Sequence, residues 1–185
     1  MKIEAGKYFD IAQAVIDKLY DIPRTGWVDR GVKNPETVGE HTDELIVLAE
    51  RHFHVLKLGL MLKIHDWPES DPTVGDRRTD PLCPPKKRWT KEQKYQAERE
   101  AMLTICANLG PHGPMIFSLW MEFAEQQTPR ARRAYQLDKF QLIMKAIQYQ
   151  KEGQPVNAQE FIDYDGPAIT DPFLRKKLLR AQAEL

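Results

Sequence analysis

Apolar residues recur every three to four positions in seven stretches of this chain, at 9–19, 45–53, 55–64, 95–109, 115–123, 134–149 and 173–179, and no run alternates strictly over a strand's length. That period lays an apolar stripe along one side of a helix, so the pattern predicts an all-α bundle of about six to eight helices. The breaks agree. Ile22-Pro23-Arg24-Thr25-Gly26 ends the first helix, Gly110-Pro111-His112-Gly113-Pro114 parts two others, and Gly153-Gln154-Pro155 stops the longest. The longest irregular stretch, 67–89, holds five prolines and the basic clusters Arg77-Arg78 and Lys86-Lys87-Arg88. Irregular stretches of this length in a compact domain are usually functional or disordered. Because this one begins at the polar motif described next, it reads as an active-site lid, with a solvated proline-rich insertion as the plainer alternative.

Four polar residues interrupt the apolar pattern where an interior is expected. His65-Asp66 closes the run 55–64, His41 opens a helix whose inward positions continue through Leu45, Leu48 and Ala49, and Asp138 sits between Ala134 and Leu142. Alone, His41 reads as a capping or core residue and Asp138 as the partner of Lys139 or Arg133. Together they read differently, because burying a carboxylate is costly unless it is paired or bound to a cation. Two imidazoles and two carboxylates suit one divalent ion (Mn, Co, Mg, Zn, Fe or Ni) and leave coordination positions for water and substrate. Glu69 lies about one helical turn beyond Asp66, a position for a general acid or base, against the plainer reading of a surface glutamate after proline. Asp76 adds a carboxylate after Gly75, where glycine permits close backbone approach. His112 is the one histidine between His65-Asp66 and Asp138, in an exposed-turn setting, while His52 and His54 end a helix. One metal is therefore expected rather than two, and the same shortage of histidines argues against a di-iron oxygenase.

Composition narrows the partners. At 185 residues the chain reads as one domain spanning 1–185. Its 27 basic residues equal its 27 acidic ones, so no global field points at nucleic acid or a membrane, and anion affinity must come from local clusters. The expected partner is a small molecule. Met1-Lys2-Ile3-Glu4-Ala5-Gly6-Lys7 lacks the apolar core of a signal peptide, and no segment approaches the length of a membrane span. Cys83 and Cys106 form no CxxC motif or disulfide framework, which fits a reduced cytoplasm. The apolar stretches 115–123 and 173–179 either bury a homodimer face or complete the core.

The set His41, His65-Asp66, Glu69, Gly75-Asp76 and Asp138 resembles the HD-domain metal-dependent phosphohydrolases, and within them the single-domain 5′-deoxynucleotidase group. Pro23-Arg24-Thr25-Gly26-Trp27-Val28, Asn34-Pro35-Glu36-Thr37-Val38-Gly39-Glu40-His41, Lys91-Glu92-Gln93-Lys94 with Glu98-Arg99-Glu100-Ala101-Met102, and Gln136-Leu137-Asp138-Lys139 carry the likeness over about 9–149. The remainder, 150–185, reads as a C-terminal helical extension. The resemblance implies a single HD-domain bundle with His41, His65, Asp66 and Asp138 holding one metal, Glu69 directing water at phosphorus, and Asp76 assisting with the proton. It further implies that Arg24 reaches phosphate oxygens and that Trp27 packs against the sugar and disfavours a 2′-hydroxyl, although an indole also fills a core. Gly39 departs from the serine or alanine more usual there, and Ser70-Asp71-Pro72-Thr73 lengthen the connection to Gly75. Lys86, Lys87 and Arg88 are either a solvated run or a clamp for further phosphates. The implied activity is hydrolysis of deoxynucleoside 5′-monophosphates. The alternatives are a (deoxy)nucleoside triphosphate phosphohydrolase or triphosphohydrolase and a nucleotide-binding regulator without turnover.

Overall fold

The computed structural model describes residues 2–53, 55–81 and 86–185, with side chains from residue 7 onward; His54, Cys83, Pro84 and Pro85 lie outside this set. Among the described residues lie nine α-helices: α1 (Lys2–Tyr20), α2 (Thr25–Val28), α3 (Val38–Phe53), α4 (Leu56–Ile64), α5 (Lys91–Asn108), α6 (Gly113–Ala124), α7 (Pro129–Lys151), α8 (Ala158–Asp165) and α9 (Pro172–Gln182). The fold is all-α, as the period predicts. Two helices are absent from the periodic pattern. α2 is a single turn, too short to show a period, and α8 has only two turns.

α7 is the axis of the bundle and packs against α3, α4, α6, α8 and α9. Its start is fixed by Thr128, whose hydroxyl accepts from the Ala131 N–H at 3.1 Å, and by Pro129, which has no N–H to leave unpaired. Ala131, Ala134, Leu137, Ile143 and Ala146 are fully buried along it, with Phe140 and Ile147 nearly so. Burying side chains such as Leu137 and Ile143 contributes about 1.5–3 kcal/mol each. Among the described residues no helix is long and apolar enough to cross a membrane.

Three local devices place the polar residues. α4 stops at His65 because Pro68 has no N–H to donate back to Ile64, and the chain passes into a buried 3-10 turn, Trp67–Ser70. The Trp120 indole N–H then binds the His65 carbonyl at 3.1 Å, occupying an acceptor that the helix end leaves open. Before α3, the Arg24 N–H donates to the Glu36 carbonyl at 2.9 Å and the Val38 N–H to Ile22 at 2.8 Å, fastening the entry to α2 beside the entry to α3. Finally, α5 opens with a reciprocal cap: Thr90 Oγ1 accepts from the Gln93 N–H at 3.0 Å while Gln93 Oε1 accepts from the Thr90 N–H at 2.9 Å. This sets Lys94 on the first turn of α5.

Candidate active site

His41 on α3, His65 and Asp66 at the end of α4, and Asp138 on α7 converge in the interior. His41 Nε2 lies 3.2 Å from Asp138 Oδ1 and 3.8 Å from Asp66 Oδ2, and His65 Nε2 lies 3.0 Å from Asp66 Oδ2. Donor atoms of His41, His65 and Asp138 all fall within 4.8 Å of one another. The far side of each ring fixes its proton. His65 Nδ1 is 2.6 Å from the Leu62 carbonyl, which can only accept, and His41 Nδ1 is 2.7 Å from Gln141 Oε1. Both imidazoles therefore keep hydrogen on Nδ1 when neutral and present the Nε2 lone pair inward. The inward atoms His41 Nε2, His65 Nε2 and Asp66 Oδ2 are buried without a hydrogen-bond partner. Lone pairs aimed at carboxylate oxygens repel, and a cation between them removes the conflict. The donor set fits a divalent metal of the kind that accepts mixed nitrogen and oxygen ligands.

Burial alone would hold the carboxyls of Asp66 and Asp138 protonated, yet both stay well below the usual range. For Asp66 the counterweights are His65 and His41, when their rings are protonated, with Arg24; for Asp138 they are Lys139 and, in the same state, His41 and His65. Arg24 Nη1 is 3.6 Å from Asp66 Oδ2, and Lys139 Nζ is 3.2 Å from Asp138 Oδ2. Glu69 is not the surface residue its sequence setting allows. It is 2 % exposed, with Oε1 3.1 Å from Lys94 Nζ and Oε2 without a partner. Burial, with Asp66 adding repulsion, pushes its carboxyl well above the ordinary range, and Lys94 opposes the rise. Lys94 also meets Glu98, four residues on, at 3.3 Å.

Beside this cluster opens a cleft of about 200 Å³. Arg24, Lys94 and Lys139 belong to both, each contacting a carboxylate of the cluster and lining the cleft. Seven basic side chains line the cleft against three acidic ones, so a chain without net charge concentrates positive charge where the cluster is reached. Trp27 lines it too, although only 1 % exposed: its indole N–H donates to Glu36 Oε1 at 2.9 Å, and its ring packs against Tyr149 and Phe161. Core aromatic and cleft wall are thus the same residue.

Asp76 also lines the cleft, and it clasps α2: its carboxylate accepts the Thr25 N–H, and its carbonyl accepts the Thr25 hydroxyl at 2.7 Å. Close backbone approach is not the reason for Gly75. A Cβ there would meet nothing within 4 Å, and what glycine supplies is the left-handed φ of +58° that turns the chain into Asp76. Lys86 and Lys87 line a neighbouring cavity that shares Asp76, Arg77 and Arg78 with the cleft, and Lys87 Nζ pairs with Asp29 Oδ1 at 2.9 Å. Arg88 is exposed and lines neither cavity. His112 ends a short exposed turn, and His52 packs against the Phe173 ring at a tilt, both apart from the cluster.

The sequence reading gave no role to Lys94, Glu98, Gln141 or α8. Lys94 and Glu98 carried a signal, since they lie one turn apart on a helix that begins with a cap. Gln141 did as well: it is polar and stands one turn beyond Asp138 in an otherwise apolar face. α8 supplies Phe161, Tyr164 and Asp165 to the cleft, and nothing in its composition announces that.

The model of the HD domain family matches residues 16–166. A curated relative from Dictyostelium discoideum, 5′-deoxynucleotidase HDDC2, is 30% identical over 187 residues, covering 92% of this chain and 94% of its own. The human protein of the same name is 29% identical over 177 residues, covering 92% and 82%. Among solved structures, a conserved hypothetical protein from Pyrococcus furiosus superposes with a TM-score of 0.69 at 24% identity, over 96% of this chain and 99% of that one. With the match spanning α3, α4, α5 and α7 and every residue of the cluster they carry, this chain belongs to the HD domain family, whose members depend on a bound metal.

Proposed function

We propose that this protein is a metal-dependent 5′-deoxynucleotidase, which hydrolyses a deoxynucleoside 5′-monophosphate to deoxynucleoside and phosphate. The observation that carries the reading is the convergence of four electron-pair donors, His41, His65, Asp66 and Asp138, beside a cleft lined mainly by basic side chains. The relatives named 5′-deoxynucleotidase supply the substrate class. Those four residues would hold one divalent cation, which supplies Lewis acidity to a phosphoryl oxygen and makes water a better nucleophile near neutral pH.

The chain's own groups do the rest. The Arg24 guanidinium, held by Asp66, offers a planar fork to two phosphate oxygens, and Lys94 and Lys139 balance the remaining charge. Glu69 Oε2, the free oxygen of a carboxyl raised by burial, takes the proton of the attacking water as the new P–O bond forms. The bond from phosphorus to O5′ breaks, and the departing oxygen receives a proton relayed by Glu69 or Asp76. Trp27 and Phe161 wall the sugar in this reading, and an indole held by Glu36 disfavours a 2′-hydroxyl beside it.

Phosphate release from a panel of deoxy- and ribonucleoside monophosphates, each with Mn²⁺, Co²⁺, Mg²⁺ or Zn²⁺, tests this; no turnover on any pair sinks it. Glu69→Gln is expected to keep its metal and lose roughly 10²–10⁴ in kcat, whereas His65→Ala and Asp138→Ala lose the metal itself. A second reading, hydrolysis of a nucleoside triphosphate, draws on the cavity lined by Lys86 and Lys87 that adjoins the cleft at Arg77 and Arg78. Tripolyphosphate among the products of a triphosphate substrate would favour it.

A further inference from the structure

A buried chain of hydrogen bonds connects the cleft wall to the metal-facing histidine, and its direction is fixed at one end. The Trp27 indole N–H can only donate, and it does so to Glu36 Oε1 at 2.9 Å. Glu36, as a carboxylate, only accepts; its Oε2 lies 3.0 Å from Gln141 Nε2 and 3.4 Å from Lys145 Nζ. The second hydrogen of the Gln141 amide goes to Glu44 Oε2 at 2.8 Å, and Lys145 binds Glu44 as well. With two carboxylates at its nitrogen, Gln141 has one orientation available, and its Oε1 faces His41 Nδ1 at 2.7 Å. Gln141 is 1 % exposed and His41 not at all, so no solvent competes for the bond between them.

We infer that Glu36 and Gln141 are positioning residues that set the tautomer of His41, holding its proton on Nδ1 so that the Nε2 lone pair is free for a metal. The same bonds anchor Trp27. Cleft wall and metal ligand are consequently held by one directional relay, with no residue of the relay between them touching the cleft. This rests on the reading of His41 as a metal ligand.

Glu36→Leu is the telling variant because it removes the acceptor that the Trp27 N–H and the Gln141 amide share. Of the two carboxylates only Glu44 then remains on the Gln141 NH₂, and Glu44 is half exposed. The amide can turn over and offer its NH₂ to His41 Nδ1, which must then accept. The His41 proton moves to Nε2 and blocks the inward lone pair. Gln141→Leu removes the acceptor altogether, while Gln141→Glu preserves it.

Two measurements on the full chain decide the matter, both made without nucleotide: histidine-selective ¹⁵N NMR of the metal-free protein, and Zn²⁺ affinity by competition with a chelator. Wild type is expected to show His41 protonated at Nδ1. Glu36→Leu is expected to show loss or mixing of that tautomer and a fall in Zn²⁺ affinity of roughly 10–100-fold, as for other outer partners of metal-bound histidines. Gln141→Leu should fall likewise and Gln141→Glu should not. The inference is overturned if wild-type His41 carries its proton on Nε2 alone, or if folded Glu36→Leu keeps both tautomer and affinity. Should Glu36→Leu lose its helical circular dichroism, equal affinities in Gln141→Leu and Gln141→Glu overturn the inference, and unequal ones in the expected order support it. Absence of nucleotide turnover would sink the proposed activity and leave these readouts standing.

Discussion

Lys94 shows how one side chain balances a crowded site. Burial disfavours its charge, but Glu69, Glu98, Asp76 and Asp66 together hold it well above the usual lysine range, so it stays a cation among carboxyls. Its bond to Glu69 restrains the rise that burial imposes on that carboxyl. Lys94→Met removes the restraint, and the Glu69 carboxyl should climb further. A base works only when ionised, so the acid limb of the kcat/KM profile is expected to move to higher pH. Loss of a charge-assisted bond of about 1.5–3 kcal/mol corresponds to a fall of roughly 10–100-fold in kcat/KM near neutrality. Metal content should not change; an unmoved pH profile would remove this role. At this scale the sequence was informative wherever a polar residue broke an apolar pattern, as at His41, His65 and Asp138. It was silent on Glu69's burial, because a glutamate after proline carries no sign of the helices that will cover it.

At the scale of elements, the packing of α1 on α3 explains the glycine at position 39, two residues before His41. A Cβ on Gly39 would lie 2.7 Å from Tyr20 Cγ, at the root of the ring and not at its movable tip. The ring is also held at its far end, where the Tyr20 hydroxyl donates to Asp43 Oδ2 at 2.6 Å. Tyr20 thus occupies the room that a serine or alanine side chain would need. Gly39→Ala is expected to destabilise the protein by about 1–3 kcal/mol in chemical denaturation, the usual cost of overpacking. Adding Tyr20→Ala should recover part of that loss, and strict additivity of the two substitutions would rule out the clash as its cause. Helices longer than two turns were legible from their period, whereas α2 and α8 were not. Both nevertheless shape the cleft, α2 through Trp27 and α8 through Phe161.

For the whole molecule, composition said only that anion affinity must be local, and the fold says where. Arg24 precedes α2, Arg77 and Arg78 follow Gly75, Lys91 and Lys94 ride on α5, and Lys139 on α7; residues far apart in sequence become one lining. No window along the chain could display that, since the clustering is made by helix packing. The consequence is kinetic. A nucleotide diffusing toward this protein meets no long-range pull from its net charge, and is guided only over the last stretch into the cleft. At 0.1 M salt the screening length is about 10 Å, comparable with that final approach. Rising ionic strength should therefore lower kcat/KM, with the capture rate measured by stopped flow falling in parallel, while kcat changes little. A capture rate indifferent to salt would mean that the lining serves to grip bound phosphate and not to draw it in. The concentration of charge in the cleft thus makes encounter, ahead of chemistry, the step most exposed to the ionic conditions around the protein.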